Sequence, residues 1–99
     1  MQIAKVRGTV VSTQKEPNLG GVKFLLVQLL DEEGSPLPVY EVAADKVGAG
    51  VGEWVLISRG SGSRNVEGHR DRPIDAAVVA IIDTVTVDNQ RLYDKGTQW

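Results

Sequence analysis

Val22-Lys23-Phe24-Leu25-Leu26-Val27-Gln28-Leu29-Leu30 is the stretch whose reading decides the fold. Its length and the turn residues on either side favour a β-strand over a helix. Val22, Phe24, Leu26 and Leu30 fall on one face; Lys23, Leu25, Val27 and Leu29 fall on the other. A strand with one wet face alternates apolar with polar, and this one mostly does not. Both faces therefore need cover. Leaving Leu25, Val27 and Leu29 in water would forgo roughly 1.5–3 kcal/mol each, a large share of a typical ~5–15 kcal/mol of total stability. A chain of 99 residues has little left with which to cover a second face. The expectation is that Leu25, Val27 and Leu29 form a subunit interface, covered by another copy.

Outward from this strand the chain alternates β-branched runs with turn chemistry. Upstream, Ile3 to Thr13 reads as a strand through Val6, Thr9, Val10, Val11 and Thr13, residue types that suit a pleated surface. Gly8 in its interior suggests a bend or bulge. Lys15 to Gly21, with Pro17, Gly20 and Gly21, is a turn. Downstream, Asp31 to Pro36 is a second turn, and Leu37 to Val42 a short strand that Pro38 demotes towards a sheet edge. Lys46 to Gly52 is a glycine-punctuated connection, followed by a strand over Glu53 to Ser58. Arg59 to Pro73 is a long polar loop holding four of the six arginines, and loops of that length in small domains are uncommon. Pro73 to Ala77 has the make-up of one helical turn. Val78 to Val87 reads as a final long strand, then a polar tail carries Tyr93 and Trp99. About five short strands and at most one helical turn predict an all-β chain, a small closed or nearly closed barrel of the OB type. The expected organisation is one domain over residues 1–99, with the barrel over about 1–87 and the tail over about 88–99.

Composition excludes several function classes. There are no cysteines, which removes disulfides, thiolate metal sites and thiol catalysis and fits a reducing cytoplasm. Eleven Lys plus Arg against thirteen Asp plus Glu leave a formal charge of −2, whereas nucleic-acid binding draws most of its affinity from a basic excess. Aromatic residues are 5% of the chain, too few to furnish a base-stacking platform. The first residues lack the layout of a signal peptide. The longest apolar run, Ala76 to Ile82, is far short of the ~20 residues that span a bilayer. The expectation is a soluble intracellular protein with neither nucleic acid nor membrane as partner.

The candidate chemical motifs fail on context. Gly48-Ala49-Gly50-Val51-Gly52 superficially resembles a dinucleotide fingerprint, but its spacing is GxGxG and a strand follows it instead of a helix. Ser61 or Ser63 with His69 and Asp71 or Asp75 would need the GxSxG elbow of a nucleophile, which is absent. His69 is the only histidine and has no cysteine or second imidazole with which to hold zinc. Asp31, Glu32 and Glu33 read as a solvated hairpin tip, and Trp54 as a packed strand residue. Arg59, Arg64, Arg70 and Arg72 read as a solvated loop, unless a ring repeats them around an axis where they would steer small anions.

The blocks Gly8-Thr9-Val10-Val11, Leu19-Gly20-Gly21-Val22-Lys23, Leu25-Leu26-Val27-Gln28 and Val47 to Glu53, with Gly60 to Arg64 and Arg72 to Asp83 after them, resemble the CcmL/EutN family of bacterial microcompartment vertex proteins. The likeness covers roughly residues 3–85, and Asp83-Thr84-Val85 with Leu92-Tyr93 is most similar to the cyanobacterial β-carboxysome branch. It implies an OB-like barrel assembling as a cyclic homopentamer, set among hexameric shell tiles at the vertices of a carboxysome and serving carbon fixation. It implies no catalysis and no cofactor. Gly60, Ser61, Gly62, Ser63 and Arg64 are then expected near the five-fold axis, where small residues let several backbones crowd together. The family loop reads GSxAR or GSSAR, and here Gly62 and Ser63 fill its variable middle. The rival readings are an OB-type single-stranded nucleic-acid module and a small serine hydrolase.

Overall fold

A computed structural model describes residues 1–11, 21–59 and 75–97. These form seven strands: β1 (Gln2–Val10), β2 (Lys23–Leu30), β3 (Pro36–Asp45), β4 (Trp54–Arg59), β5 (Ala76–Ile81), β6 (Thr84–Val87) and β7 (Gln90–Asp94). The first five close a barrel in the order β1-β2-β3-β5-β4, and β6 and β7 form a separate two-stranded sheet. All barrel pairings are antiparallel except β3 with β5, a short parallel seam at Ala44 opposite Ala77 and Asp45 opposite Val78. The all-β barrel expected from the strand count is present.

Gly8 sits at a bulge. The β1–β2 register places Val6 opposite Val27 and Gly8 opposite Leu26, leaving Arg7 as the extra residue. A bulge bends its strand and sharpens the twist, which a small barrel needs to close. The interior is filled by Ala4, Val6, Leu25, Val27, Leu29, Ala43, Ala49, Val55, Ile57, Ala76 and Val78. Alanines from β1, β3 and β5 make room for leucines from β2, the mixing of small and large that a narrow barrel requires.

Three local expectations are corrected. Ala76 and Ala77 do not belong to a helical turn; they open β5, with Ala76 opposite Arg59 and Ala77 opposite Ser58. Open ladder positions on β4 outweigh a helix start that has only a proline to recommend it. Nor is Val78 to Val87 one strand. The barrel partner β4 begins at Trp54, opposite the end of β5, so residues beyond Ile82 have no barrel strand to pair with. Ile82 donates its N–H to the Trp54 carbonyl at 2.9 Å, and the chain then leaves the barrel. Third, residues after 87 are not a plain tail. They fold back as β7, through a two-residue turn in which Asp88 and Asn89 both have positive φ, 51° and 64°. Asp and Asn are among the few residues that tolerate this hairpin turn. The barrel thus ends at Ile81, and the hairpin straddles the expected boundary at residue 87.

β3 is longer than expected, yet its edge character holds. Among the described residues, Pro36 to Val42 pair only with β2, and β5 reaches only Ala44 and Asp45. Pro36 and Pro38, which lack an N–H to donate, lie in this one-sided stretch.

Candidate functional site

The glycine loop comes first, because its amides would be the cradle for a phosphate. They are already taken. The buried carboxylate of Asp45 accepts N–H groups from Val47 at 3.0 Å, Gly48 at 3.1 Å and Ala49 at 3.0 Å. Glu53 accepts the N–H of Gly50 at 2.5 Å. The protein's own carboxylates occupy the position an anion would need, so this loop is structural. Gly52 and Val6 then tie it to β1 through Gly52 N–H to the Val6 carbonyl and Val6 N–H to the Glu53 carbonyl, each 2.9 Å.

Glu53 is itself a joint. It is buried, and Lys95 lies 3.1 Å from its second oxygen. The Gly50 N–H and the Lys95 ammonium hold its carboxyl below the usual carboxylate range, against a burial effect of opposite sign. Glu53 in turn holds the Lys95 ammonium above its ordinary range. No cluster of three or more potential metal ligands occurs among the described residues, and no helix there is long and apolar enough to cross a membrane.

Leu25, Val27 and Leu29, expected at a subunit interface, point into the barrel, with exposures of 1%, 0% and 5%. The reason is their neighbours. Strand pairing sets Val27 beside Val6, Leu29 beside Ala4 and Leu25 beside Ala43, short side chains that fit inside the curve. Lys23 shares that face but lies at the strand's first position, where it stays exposed.

The second apolar face exists with the opposite parity. Outside the barrel, three rungs cross β1, β2 and β3: Val10–Phe24–Ala44, Gly8–Leu26–Val42 and Lys5–Gln28–Tyr40. Tyr40 is 54% exposed and Val42 49%, while Phe24 and Leu26 are half-buried. On another side, Ile3, Leu56 and Ala80 form one half-buried outward rung across β1, β4 and β5. The signal for Tyr40 and Val42 was in the sequence, as apolar residues on a strand that Pro38 marks as an edge. Ile3, Leu56 and Ala80 carried no such mark. Gly60, Ser61, Gly62, Ser63 and Arg64 lie outside the described residues, as does Trp99.

Comparison with known proteins places this architecture. Residues 1–83 match the family described as ethanolamine utilisation protein EutN/carboxysome; the match stops where β6 begins. The carboxysome shell vertex protein CcmL of Gloeobacter violaceus is 67% identical over 99 residues, covering 100% of this chain and 99% of that protein. The solved structure of Gloeobacter violaceus CcmL superimposes with a TM-score of 0.93 at 68% identity, covering 97% of this chain and 99% of that one. The GrpN pentameric microcompartment shell protein of Rhodospirillum rubrum superimposes with a TM-score of 0.80 at 48% identity, covering 88% and 99%. The chain belongs to the EutN/CcmL family of microcompartment shell vertex proteins.

Proposed function

We propose that this protein is a structural subunit that caps the vertices of a carboxysome shell as a closed ring of five, with hexameric shell tiles around its rim. Its role is structural and not enzymatic. One observation carries the reading: the barrel fills its own interior and still exposes Tyr40 and Val42 on the outer face of a strand whose stretch Pro36 to Val42, among the described residues, pairs on one side only. Contiguous exposed apolar residues of this kind mark an association surface. A sheet tiled only by hexagons stays flat or rolls into a tube, and pentagons supply the curvature that closes it. A rigid disc with apolar joints suits that task. Its rim needs only a modest interface to a tile, so that cap and tile are made separately and meet on assembly.

Two measurements test this. Native mass spectrometry of the purified protein at micromolar concentration should find rings of five, and mainly monomers or dimers would refute it. Cells lacking the protein should make tiles normally yet contain elongated or unclosed shells by electron microscopy. Closed, regular compartments in such cells would overturn the vertex role.

A further inference from the structure

The tips of two tight turns border one cleft on this molecule. The β2–β3 turn carries Glu32 and Glu33, and the turn of the β6–β7 hairpin carries Asp88. At their base the two are in contact, since a Cβ on Gly34 of the first turn would lie 3.8 Å from Cδ1 of Leu92 on β7. The cleft between the tips measures about 410 Å³ and is lined by Glu32, Glu33, Val87, Asp88, Gln90 and Leu92, a size within the range of clefts that hold ligands. We propose that it docks an arginine-bearing segment of a partner protein, a role that goes beyond vertex closure and does not depend on it.

Charge and surface chemistry select the occupant. Among the described residues, no Lys or Arg pairs with Glu32, Glu33 or Asp88. The hairpin's own cations are engaged elsewhere, Arg91 with Asp94 at 2.9 Å and Lys95 with Glu53 at 3.1 Å. A positively charged partner complements such a rim. The three carboxylates do not gather into a metal site, and Val87 and Leu92 line the cleft with hydrocarbon that a hydrated ion would leave uncovered. Arginine matches both features. Its methylene stem lies along apolar side chains, while its planar guanidinium offers paired N–H groups to carboxylates. The phosphates of nucleic acid or of lipid headgroups would instead be repelled by this rim. The walls are also held in place: Asp31 accepts the N–H groups of Glu33 at 2.9 Å and Ser35 at 2.8 Å, and the hairpin is stacked on the barrel through Tyr93 and Trp54. A cleft already shaped for its occupant loses less freedom on binding. Exposed ion pairs are individually weak, so the docking is weak and sensitive to salt.

The test is fluorescence anisotropy with the full-length protein and a dye-labelled, end-capped pentapeptide in which two arginines alternate with glycines. At about 20 mM salt it should bind with a dissociation constant below about 1 mM, and at least threefold more weakly at about 200 mM salt. The same peptide with lysines should bind at least threefold more weakly, and with uncharged citrullines not detectably. The triple variant Glu32→Gln, Glu33→Gln, Asp88→Asn, shown to be folded by circular dichroism, should bind the arginine peptide at least tenfold more weakly. If it does not fold, Glu33→Gln and Asp88→Asn are measured singly, and each should lose at least twofold. Asp75 is exposed and outside the cleft, so Asp75→Asn should bind as wild type does. An equal loss in Asp75→Asn and Asp88→Asn would mean general attraction to an acidic protein and would overturn the proposal. So would wild type that does not bind, or a lysine peptide or triple variant that binds as well. Native mass spectrometry of the folded triple variant should show the wild-type assembly; a lost assembly would assign the cleft to subunit contact and overturn the docking. Wild type that forms no ring would overturn the vertex reading and leave the anisotropy result standing.

Discussion

Trp54 on β4 and Tyr93 on β7 stack with ring centroids 4.4 Å apart and planes 16° from parallel, and the Tyr93 hydroxyl accepts the Trp54 backbone N–H at 3.3 Å. An isolated two-stranded hairpin is marginal in water, and this contact is one of the ties that fasten β6–β7 to the barrel. Tyr93 is 2% exposed. Tyr93→Ala should cost about 3–5 kcal/mol and Tyr93→Phe about 1 kcal/mol, measured by urea unfolding followed by circular dichroism.

The same tryptophan constrains the turn between β2 and β3. Gly34 has φ +81°, and a Cβ on it would lie 2.8 Å from Cη2 of Trp54. Gly48 has φ +80° with nothing within 4 Å. Gly48→Ala should therefore show backbone strain alone, about 1–2 kcal/mol. Gly34→Ala should lose at least about 1 kcal/mol more, because the indole must also give way. Equal losses in urea would mean that Trp54 moves freely.

Acid should loosen the hairpin's other tie. The folded-state pKa of Glu53 lies below its ordinary 4.5, because of the Gly50 N–H and Lys95. A depressed carboxyl contributes stability that is fully present above the unfolded value and is lost as pH falls through the folded one. Wild type should thus lose more stability than Glu53→Gln between pH 6 and pH 3 (about the window set by an unfolded value of roughly 4.3). For Lys95 the sign reverses: its contribution is present below its ordinary 10.5 and is lost above it. Parallel pH curves for wild type and Glu53→Gln would contradict the acid-side tie.

Asp45 satisfies three backbone amides with one buried carboxylate. Asp45→Ala should cost about 1–3 kcal/mol, chiefly through the buried Ala49 N–H that it orphans, while the part-buried Val47 and Gly48 amides can turn to water. The freed amides would then form an empty anion cradle. Millimolar phosphate should raise the melting temperature of Asp45→Ala and leave that of wild type unchanged.

The inward position of Leu25 changes what its substitution does. Leu25→Ala should cost about 2–5 kcal/mol through the cavity it leaves, and Leu25→Asp should abolish folding instead of releasing folded monomers. Folded monomeric Leu25→Asp would contradict the barrel register.

From residues alone, the chain's β character, the bulge at Gly8, the edge quality of the Pro38 strand and the structural nature of the glycine loop were all legible. Each follows from local chemistry: β-branched runs, prolines without an N–H, glycines at turns. The hairpin was legible too, in Asp88-Asn89 flanked by Val87 and Gln90, but apolar continuity from Val78 to Val87 hid it, because nothing local says where β4 ends.

The sequence by itself determined that Val22 to Leu30 carries apolar residues on both faces, from which cover by a second subunit was expected. Which face turns inward was decided only in three dimensions. The alternation of a strand is symmetric between its two sides, and a one-residue change of register exchanges them. Here Ala4, Val6 and Ala43, contributed by distant strands, make room for Leu25, Val27 and Leu29 on the concave side. Phe24 and Leu26 are thereby turned outward beside Val42 and Tyr40, where a second subunit can reach them.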